Sequence, residues 1–315
     1  MPAENNWSRG RVGPGAHFLD PHVLQRIGSL ELVARVVIEG FMQGLHRSRF
    51  MGQSMDFAEH RQYAPGDDLR RLDWKVYART ERLYVKEFEA ETNTNFSVLL
   101  DCSKSMAFTN HTLTKFDYAR YLSASLSFLA RRQGDRVGIL TFDSEVRDVV
   151  PCSARHLDLV LHTIDRAKAE RAGQFGPALK DIASRKNRKG LLAVVSDLYL
   201  DPEELRAPMS QLREIGSDVM VFHVLDPAEL TFPYQGKITI EDLETDEFIP
   251  LAPEQLRAEY LRRLNAHVEA VGQVLGSTGA DHILVDTSKP LDEVLFKYLL
   301  ARQDRKRRGS WASRS

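Results

Sequence analysis

The chain has 315 residues, with 43 basic and 44 acidic side chains and a formal net charge of −1. This length predicts one large domain or two small ones. Near-neutral charge gives no reason to expect nucleic acid or an anionic membrane as partner. The apolar runs are far shorter than the roughly 20 residues that span a bilayer, so we expect no membrane insertion. Two cysteines and no apolar secretory segment favour a reducing compartment, and we expect a cytoplasmic protein.

Changes of pattern divide the chain into four segments. Residues 1–45 combine a polar, Gly-rich start, expected to be mobile, with a helical lead whose apolar residues recur at helical spacing. Residues 46–95 contain short apolar stretches separated by turn signals, which predict a small β-rich segment. Residues 96–303 form the predicted main domain, with an inserted hairpin over 231–252. Residues 304–315 are basic and are expected to be a disordered tail.

The main domain alternates continuous apolar strands with amphipathic helices. The predicted strands are 96–101, 136–142, 191–197, 218–226 and 281–286, with 146–150 as a hairpin partner of the second. The predicted helices are 115–132, 155–168, 176–185, 202–215, 253–275 and 290–302. This alternation predicts an α/β fold whose mostly parallel sheet is covered by helices on both faces.

Carboxylates and hydroxyls cluster where the predicted strands end. Asp101, Ser103 and Ser105 form a D-x-S-x-S sequence directly after the first strand, and Asp197 closes the fourth. Those two strands are neighbours at the switch point of a doubly wound sheet, where such folds bind ligands. Hard oxygen donors of this kind suit Mg²⁺ or Mn²⁺. The sequence therefore predicts a metal site made of Asp101, Ser103, Ser105 and Asp197.

The serines and the other strand-end carboxylates also have a purely structural interpretation. Ser103 and Ser105 are also typical of helix caps and turns. The other strand-end carboxylates, Asp143, Asp226 and Asp286, are more simply read as capping or solvated residues.

The strand, D-x-S-x-S and helix context resembles a von Willebrand factor A domain with a metal-ion-dependent adhesion site. Upstream, the sequence Tyr63-x-x-Gly66-Asp67-Asp68-x-Arg70-x-x-Asp73-Trp74-Lys75 resembles the signature of the bacterial domain-of-unknown-function family 58. The resemblance implies a von Willebrand A-like, Rossmann-like sheet preceded by a small β-rich segment. It also implies a protein partner, a MoxR-type AAA+ ATPase, for which such proteins are suspected adaptors in complex assembly or maturation.

One position departs from the family pattern. A third loop usually supplies a Thr ligand, but Gly173 stands there and has no side-chain oxygen. Gln174 is the nearest replacement, and its carbonyl is a poorer ligand for Mg²⁺ than water or carboxylate. We therefore expect the metal to bind weakly in the free protein, and a Gly173→Thr substitution to tighten it.

The upstream signature supports two interpretations. Its charged residues could form an ion-pair network that fastens this segment to the main domain, with Trp74 in the core. Alternatively, Asp68, Arg70 and Trp74 form a docking face for a protein partner, because Trp is enriched at interface hot spots.

The functional prediction is a non-catalytic, metal-assisted protein-interaction module. The sequence has no G-x-S-x-G, P-loop or H-E-x-x-H motif, and we assign no catalytic residue. The alternative is a Mg²⁺-dependent hydrolase or phosphotransfer enzyme that uses the same carboxylates. Nucleic-acid binding by the basic tail is not expected, because no aromatic platform accompanies it.

Overall fold

A six-stranded sheet organises the molecule. The computed structural model describes residues 28–47, 59–63, 72, 74–80, 82–87, 94–110, 113–173, 175–185, 189–236, 238–241, 248–251 and 253–312. In chain order the elements are α1 (Leu30–Arg47), β1 (Glu59–Gln62), α2 (Trp74–Thr80), β2 (Tyr84–Glu87), β3 (Asn95–Asp101), α3 (Lys115–Arg132), β4 (Arg136–Phe142), β5 (Val146–Ser153), α4 (Leu157–Arg166), α5 (Phe175–Arg185), β6 (Leu191–Ser196), α6 (Arg206–Glu214), β7 (Asp218–Leu225), α7 (Pro227–Thr231), β8 (Ile238–Glu241), β9 (Phe248–Leu251), α8 (Pro253–Ser277), β10 (Asp281–Asp286) and α9 (Leu291–Ala312). Short 3₁₀ helices occupy Lys104–Ala107 and Pro202–Leu205.

The strand order of the sheet is β10-β7-β6-β3-β4-β5. All neighbours are parallel except β4 and the edge strand β5, which are antiparallel. Numbered within the sheet, this is the doubly wound order 3-2-1-4-5-6, which reverses between β3 and β6. The predicted α/β, von Willebrand A-like fold class is confirmed, and the ends of β3 and β6 are neighbours at the switch point.

The core lies on both faces of this sheet. Along β6, Ala193 and Val195 pack into one hydrophobic cluster while Leu192 and Val194 pack into the other. This alternation follows from the two-residue period of a strand. Because both faces are covered, the central strands are largely apolar, which is why they could be predicted from the sequence.

Helix α3 lies at the centre of one face. Apolar residues of α1, including Val33, Val37 and Phe41, belong to the same cluster as this helix and the sheet. The helical lead is therefore part of the main core. With α1 on one side and the sheet on the other, α3 is buried along most of its length, including its first residue, Lys115. That burial decides the chemistry of the site.

The smaller predicted elements are present with adjusted limits. β1 and β2 pair as an antiparallel ribbon in the upstream segment, which also contains the helix α2. β8 and β9 pair as the expected inserted hairpin. The predicted helix over 202–215 is divided into a 3₁₀ turn and α6. The Gly-rich start of the chain lies outside the described residues.

The expectation of a disordered tail from residue 304 is wrong as far as Ala312, because α9 continues to that residue. The stretch is basic, and its Arg and Lys residues have high helix propensity and extend a helix that is already anchored. The anchor is Arg302, which donates to the buried Asp135 and to the Tyr298 hydroxyl.

Candidate functional site

The carboxylate of Asp101 is buried at the switch point. Its Oδ1 accepts the backbone N–H of Ser103 at 2.8 Å, and its Oδ2 accepts the hydroxyl of Ser196 at 2.5 Å. Ser196 ends β6, and that strand pairs with β3, so the sheet itself brings the two side chains together. Within the described part of the chain, no basic side chain pairs with Asp101.

The missing countercharge changes the acidity of this group. Burial, and secondly the negative charge of Asp197, raise the pKa of Asp101 from 3.8 to about 7, although hydrogen bonds from Ser196 and Ser103 oppose the shift. Hydrogen bonds alone do not offset the cost of burying a carboxylate. A cation bound beside Asp101 would favour its charged form.

Two hydroxyls lie on the same loop as Asp101. The Oγ atoms of Ser103 and Ser105 are 3.0 Å apart. Ser103 occupies the N-cap position of the following 3₁₀ helix, yet its side chain makes no capping hydrogen bond. The interpretation of Ser103 as a simple helix cap is therefore wrong, and the sequence-predicted trio Asp101, Ser103 and Ser105 does form one cluster of oxygens.

Asp197 has a different environment, because it pairs with a buried lysine. The Lys115 ammonium donates to Oδ2 of Asp197 at 2.8 Å and to Oε1 of Glu229 at 2.7 Å, and the lysine is 0% exposed. Burial alone would lower the pKa of Lys115, but the charges and hydrogen bonds of the two carboxylates raise it above 10.5. Lys115 therefore remains an ammonium ion inside the protein.

Neighbouring side chains hold this ion pair in place. The second oxygen of Glu229 accepts the backbone N–H of Asp226, which completes a capping box at the start of α7. The hydroxyl of Tyr199 donates to Glu229 at 3.0 Å, and the Tyr199 ring centroid lies 4.8 Å from the Lys115 nitrogen. An aromatic face at this distance stabilises a cation and limits its contact with water.

The loop that contains Arg171 and Gly173 lies against the Asp101–Ser105 loop, as expected for the third loop of the site. Arg171 forms a parallel bridge with Ser103, and its carbonyl accepts the N–H of Lys104 at 2.7 Å. A Cβ atom built on Gly173 would lie 2.4 Å from Cβ of Ser103. Such a distance is well inside van der Waals contact, so Gly173 permits a close approach that Thr would prevent. This close contact opposes the expectation that Thr would simply add a ligand here, and the effect of Gly173→Thr on metal binding stays a prediction.

The donors present fit a divalent ion on one side of the site. Asp101, Ser103 and Ser105 are hard oxygen donors on one loop, and the carboxylate lacks a cationic partner among the described residues. No three His, Cys, Asp or Glu side chains in those residues converge as a metal-binding group. An ion here would thus depend on one carboxylate, two hydroxyls and water, a donor set that Mg²⁺ accepts.

The remaining strand-end carboxylates serve structural roles. Asp226 caps α7, as the structural interpretation proposed. Asp143 accepts the guanidinium Nε of Arg147 at 2.6 Å, and Asp286 accepts both the backbone N–H and the hydroxyl of Ser288. Each of these three carboxylates therefore has an ion-pair or hydrogen-bond partner within four residues along the chain.

Comparison with protein-family models shows the family to which the chain belongs. The model described as "Protein of unknown function DUF58" matches residues 59–270, which is more than half of the sequence. The chain belongs to the DUF58 family.

Curated relatives of this DUF58 protein are found in mycobacteria and in Bacillus. An uncharacterized protein of Mycobacterium bovis, Mb1516, is 28% identical over 301 residues, which cover 93% of this chain and 92% of that protein. The uncharacterized protein Rv1480 of Mycobacterium tuberculosis matches with the same values. The uncharacterized protein YeaD of Bacillus subtilis is 45% identical over 51 residues, 16% of this chain and 13% of its own.

Two solved structures are similar to parts of the chain at low identity. An aerotolerance-related membrane protein from Bacteroides fragilis aligns with a TM-score of 0.45 and 16% identity, covering 65% of this chain and 97% of that one. The SpRpn10 VWA domain aligns with a TM-score of 0.39 and 12% identity, covering 65% of this chain and 94% of its own. In the part of this DUF58 protein that the structure describes, no helix is both long enough and apolar enough to cross a membrane.

Lys115, Glu229 and Tyr199 were not predicted as site residues. Two signals in the sequence point to Lys115 and Glu229. A lysine in the first turn of a helix opposes the helix dipole, so Lys115 needs a compensating anion. The spacing of Asp226 and Glu229 before an apolar stretch is that of a capping box, which fixes the direction of the Glu229 side chain. Neither signal predicts that Lys115 pairs with Asp197.

The other predicted contacts have mixed outcomes. Trp74 is 61% exposed and meets Tyr77 edge to face, so the expectation that it is a core residue is wrong. Asp68, Arg70 and Gln174 lie outside the described residues.

Proposed function

We propose that this DUF58 protein is a non-catalytic interaction module that binds a partner protein at the carboxyl edge of its sheet with the help of Mg²⁺ or Mn²⁺. The observation that supports the proposal is the state of Asp101. This carboxylate is buried at the switch point, lies beside two hydroxyls and lacks a cationic partner among the described residues. Such a group is stabilised by a hard cation.

Asp101, Ser103 and Ser105 would hold the ion. It would supply a local positive charge to which a carboxylate of the partner can bind. Because hydroxyls and water fill much of its coordination, the ion would be held weakly until the partner contributes a ligand. By linkage, metal and partner then strengthen each other's binding by the same factor.

The partner we propose is a MoxR-type AAA+ ATPase, for which the protein would act as an adaptor in complex assembly or maturation. This part of the proposal rests on the family resemblance. We further propose that the complex forms in the cytoplasm, because both cysteines, Cys102 and Cys152, are free thiols.

The test is a binding titration between the purified full chain and a MoxR-type ATPase of the same organism. The ATPase itself uses Mg²⁺ with its nucleotide. A loss of association on removal of Mg²⁺ could therefore come from either protein. The Asp101→Ala variant shows whether the site of this chain is required. We expect this variant to lose association, while Asp158→Ala, a substitution of an exposed aspartate on α4, leaves it unchanged.

Two results would contradict the proposal. One is an absence of association in every nucleotide state. The other is hydrolysis of a phosphate ester by the wild type that Asp101→Ala abolishes, because that result would favour the enzymatic alternative.

A further inference from the structure

We infer that Lys115 sets the strength of the metal site by keeping Asp197 out of it. The inference rests on the proposed function, since it concerns the same divalent ion. The buried ammonium of Lys115 occupies one half of the site, beside Asp197. It confines a bound metal ion to the other half, on Asp101, Ser103 and Ser105.

The first step is the position of the ammonium group. Lys115 begins α3, and the N-cap before it is Thr114, so the lysine side chain reaches the carboxyl edge directly from the helix start. It is buried completely and lies 2.8 Å from Oδ2 of Asp197. If this lysine moved to solvent, its two carboxylate partners would remain in the protein interior without a countercharge, which is energetically costly.

The second step is the division of charge across the switch point. Asp197 and Glu229 share one ammonium, whereas Asp101 has hydrogen bonds alone. Asp197 directly follows Ser196, whose hydroxyl donates to Asp101, so the two carboxylates lie at the same edge of the sheet. A metal ion beside Asp101 therefore experiences both the negative charge of Asp197 and the positive charge of Lys115.

The third step is the consequence for a metal ion. To coordinate Asp197, the ion would have to displace the ammonium from Oδ2, and like charges at short range repel each other strongly in a buried site. The cheaper arrangement leaves Asp197 with Lys115 and fills the metal coordination with water. Lys115 is thus a positioning residue that lowers divalent affinity.

The experiment measures Mn²⁺ affinity by the paramagnetic resonance of free Mn²⁺, using full-length variants whose folding is checked by thermal unfolding. Lys115→Met combined with Glu229→Gln removes the ammonium and one carboxylate together. Glu229→Gln alone is the matched control, because it differs only at position 115 and Gln retains the capping-box acceptor. We expect the double variant to bind Mn²⁺ about tenfold or more tightly than the control.

Asp197→Asn supplies a comparison that leaves Lys115 in place. In the wild-type background it should weaken Mn²⁺ binding no more than Glu229→Gln does, to within about threefold, because each removes one nearby charge and neither removes a ligand. In the Lys115→Met, Glu229→Gln background it should abolish the gain. The comparison of Asp197→Asn with Glu229→Gln in the wild-type background decides the matter even where the double variant fails to fold.

The inference is overturned in either of two ways. The folded double variant binds no more tightly than its control, or Asp197→Asn alone abolishes binding where Glu229→Gln does not. In both cases a loss of binding in Asp101→Ala would leave the proposed function standing. Equal Mn²⁺ binding by the wild type and Asp101→Ala would instead remove the metal site itself, and with it the proposed function.

Discussion

Asp101 ends β3 and Asp197 directly follows its parallel neighbour β6, yet the two carboxylates have opposite environments. Asp197 is paired with a buried ammonium, while Asp101 receives hydrogen bonds from one N–H and one hydroxyl. Two carboxylates of equal appearance in the sequence therefore differ in charge compensation. The comparison teaches that a strand-end Asp becomes a ligand candidate only where the surrounding elements leave it without a cation.

The largest expected effect comes from removing the cation. Lys115→Met leaves Asp197 and Glu229 buried without a countercharge, and breaking a buried pair in this way costs about 3–5 kcal/mol. The free energy of unfolding, measured in urea at neutral pH, should fall by that amount. Lys168→Met, at an exposed lysine, is the control and should have little effect. A loss below about 1 kcal/mol would mean that the Lys115 pair is not needed for the fold.

The second effect is a pH dependence that belongs to Asp101. Its pKa in the folded protein, about 7, lies above the ordinary value of 3.8, so between these pH values the folded state holds a proton that the unfolded state releases. The contribution of Asp101 to the stability of the metal-free protein should therefore be greatest below this window and fall as pH rises through it, by up to about 1.4 kcal/mol per pH unit.

Asp101→Asn removes the titrating group and should remove this slope. Urea unfolding of both proteins between about pH 5 and 8, within the range where most domains stay folded, measures the difference. Saturating Mg²⁺ should flatten the wild-type curve, since it favours the charged carboxylate. Parallel curves for the two proteins would show that Asp101 is already compensated.

The third prediction concerns the loop that approaches Asp101. Gly173→Thr forces the new Cβ against Ser103, and overpacking of a close contact costs about 1–3 kcal/mol. We expect lower stability and weaker divalent binding, because Ser103 must move. Ala172→Thr, at the exposed neighbouring position, should change both by little. Tighter divalent binding in Gly173→Thr would show that the loop can open and accept a Thr ligand.

The smallest expected effect on stability is at Trp74. Because this ring is largely exposed, Trp74→Ala should change the free energy of unfolding by about 0.5 kcal/mol or less. If α2 belongs to a docking face, the same variant should weaken association with the ATPase by about tenfold or more, as Trp hot spots do. Unchanged association would assign the segment to the scaffold.

Much of the architecture follows from the sequence. The strand of residues 136–142, the helix of residues 115–132 and the last strand agree with their predicted limits. Buried strands between amphipathic helices leave a local apolar pattern, and that pattern is what secondary-structure prediction uses. The D-x-S-x-S residues were also found, because their spacing after a strand is local information.

The sequence by itself thus determined the fold class, the sheet and the oxygens of Asp101, Ser103 and Ser105. Only the tertiary structure decided that Asp197 belongs to Lys115, which is 82 residues away, and that Lys115 also binds Glu229, which is 114 residues away. It likewise decided that Gly173 must be small. The physical reason is that compensation of a buried charge, and the space beside it, depend on which distant elements meet, and no local pattern records that meeting.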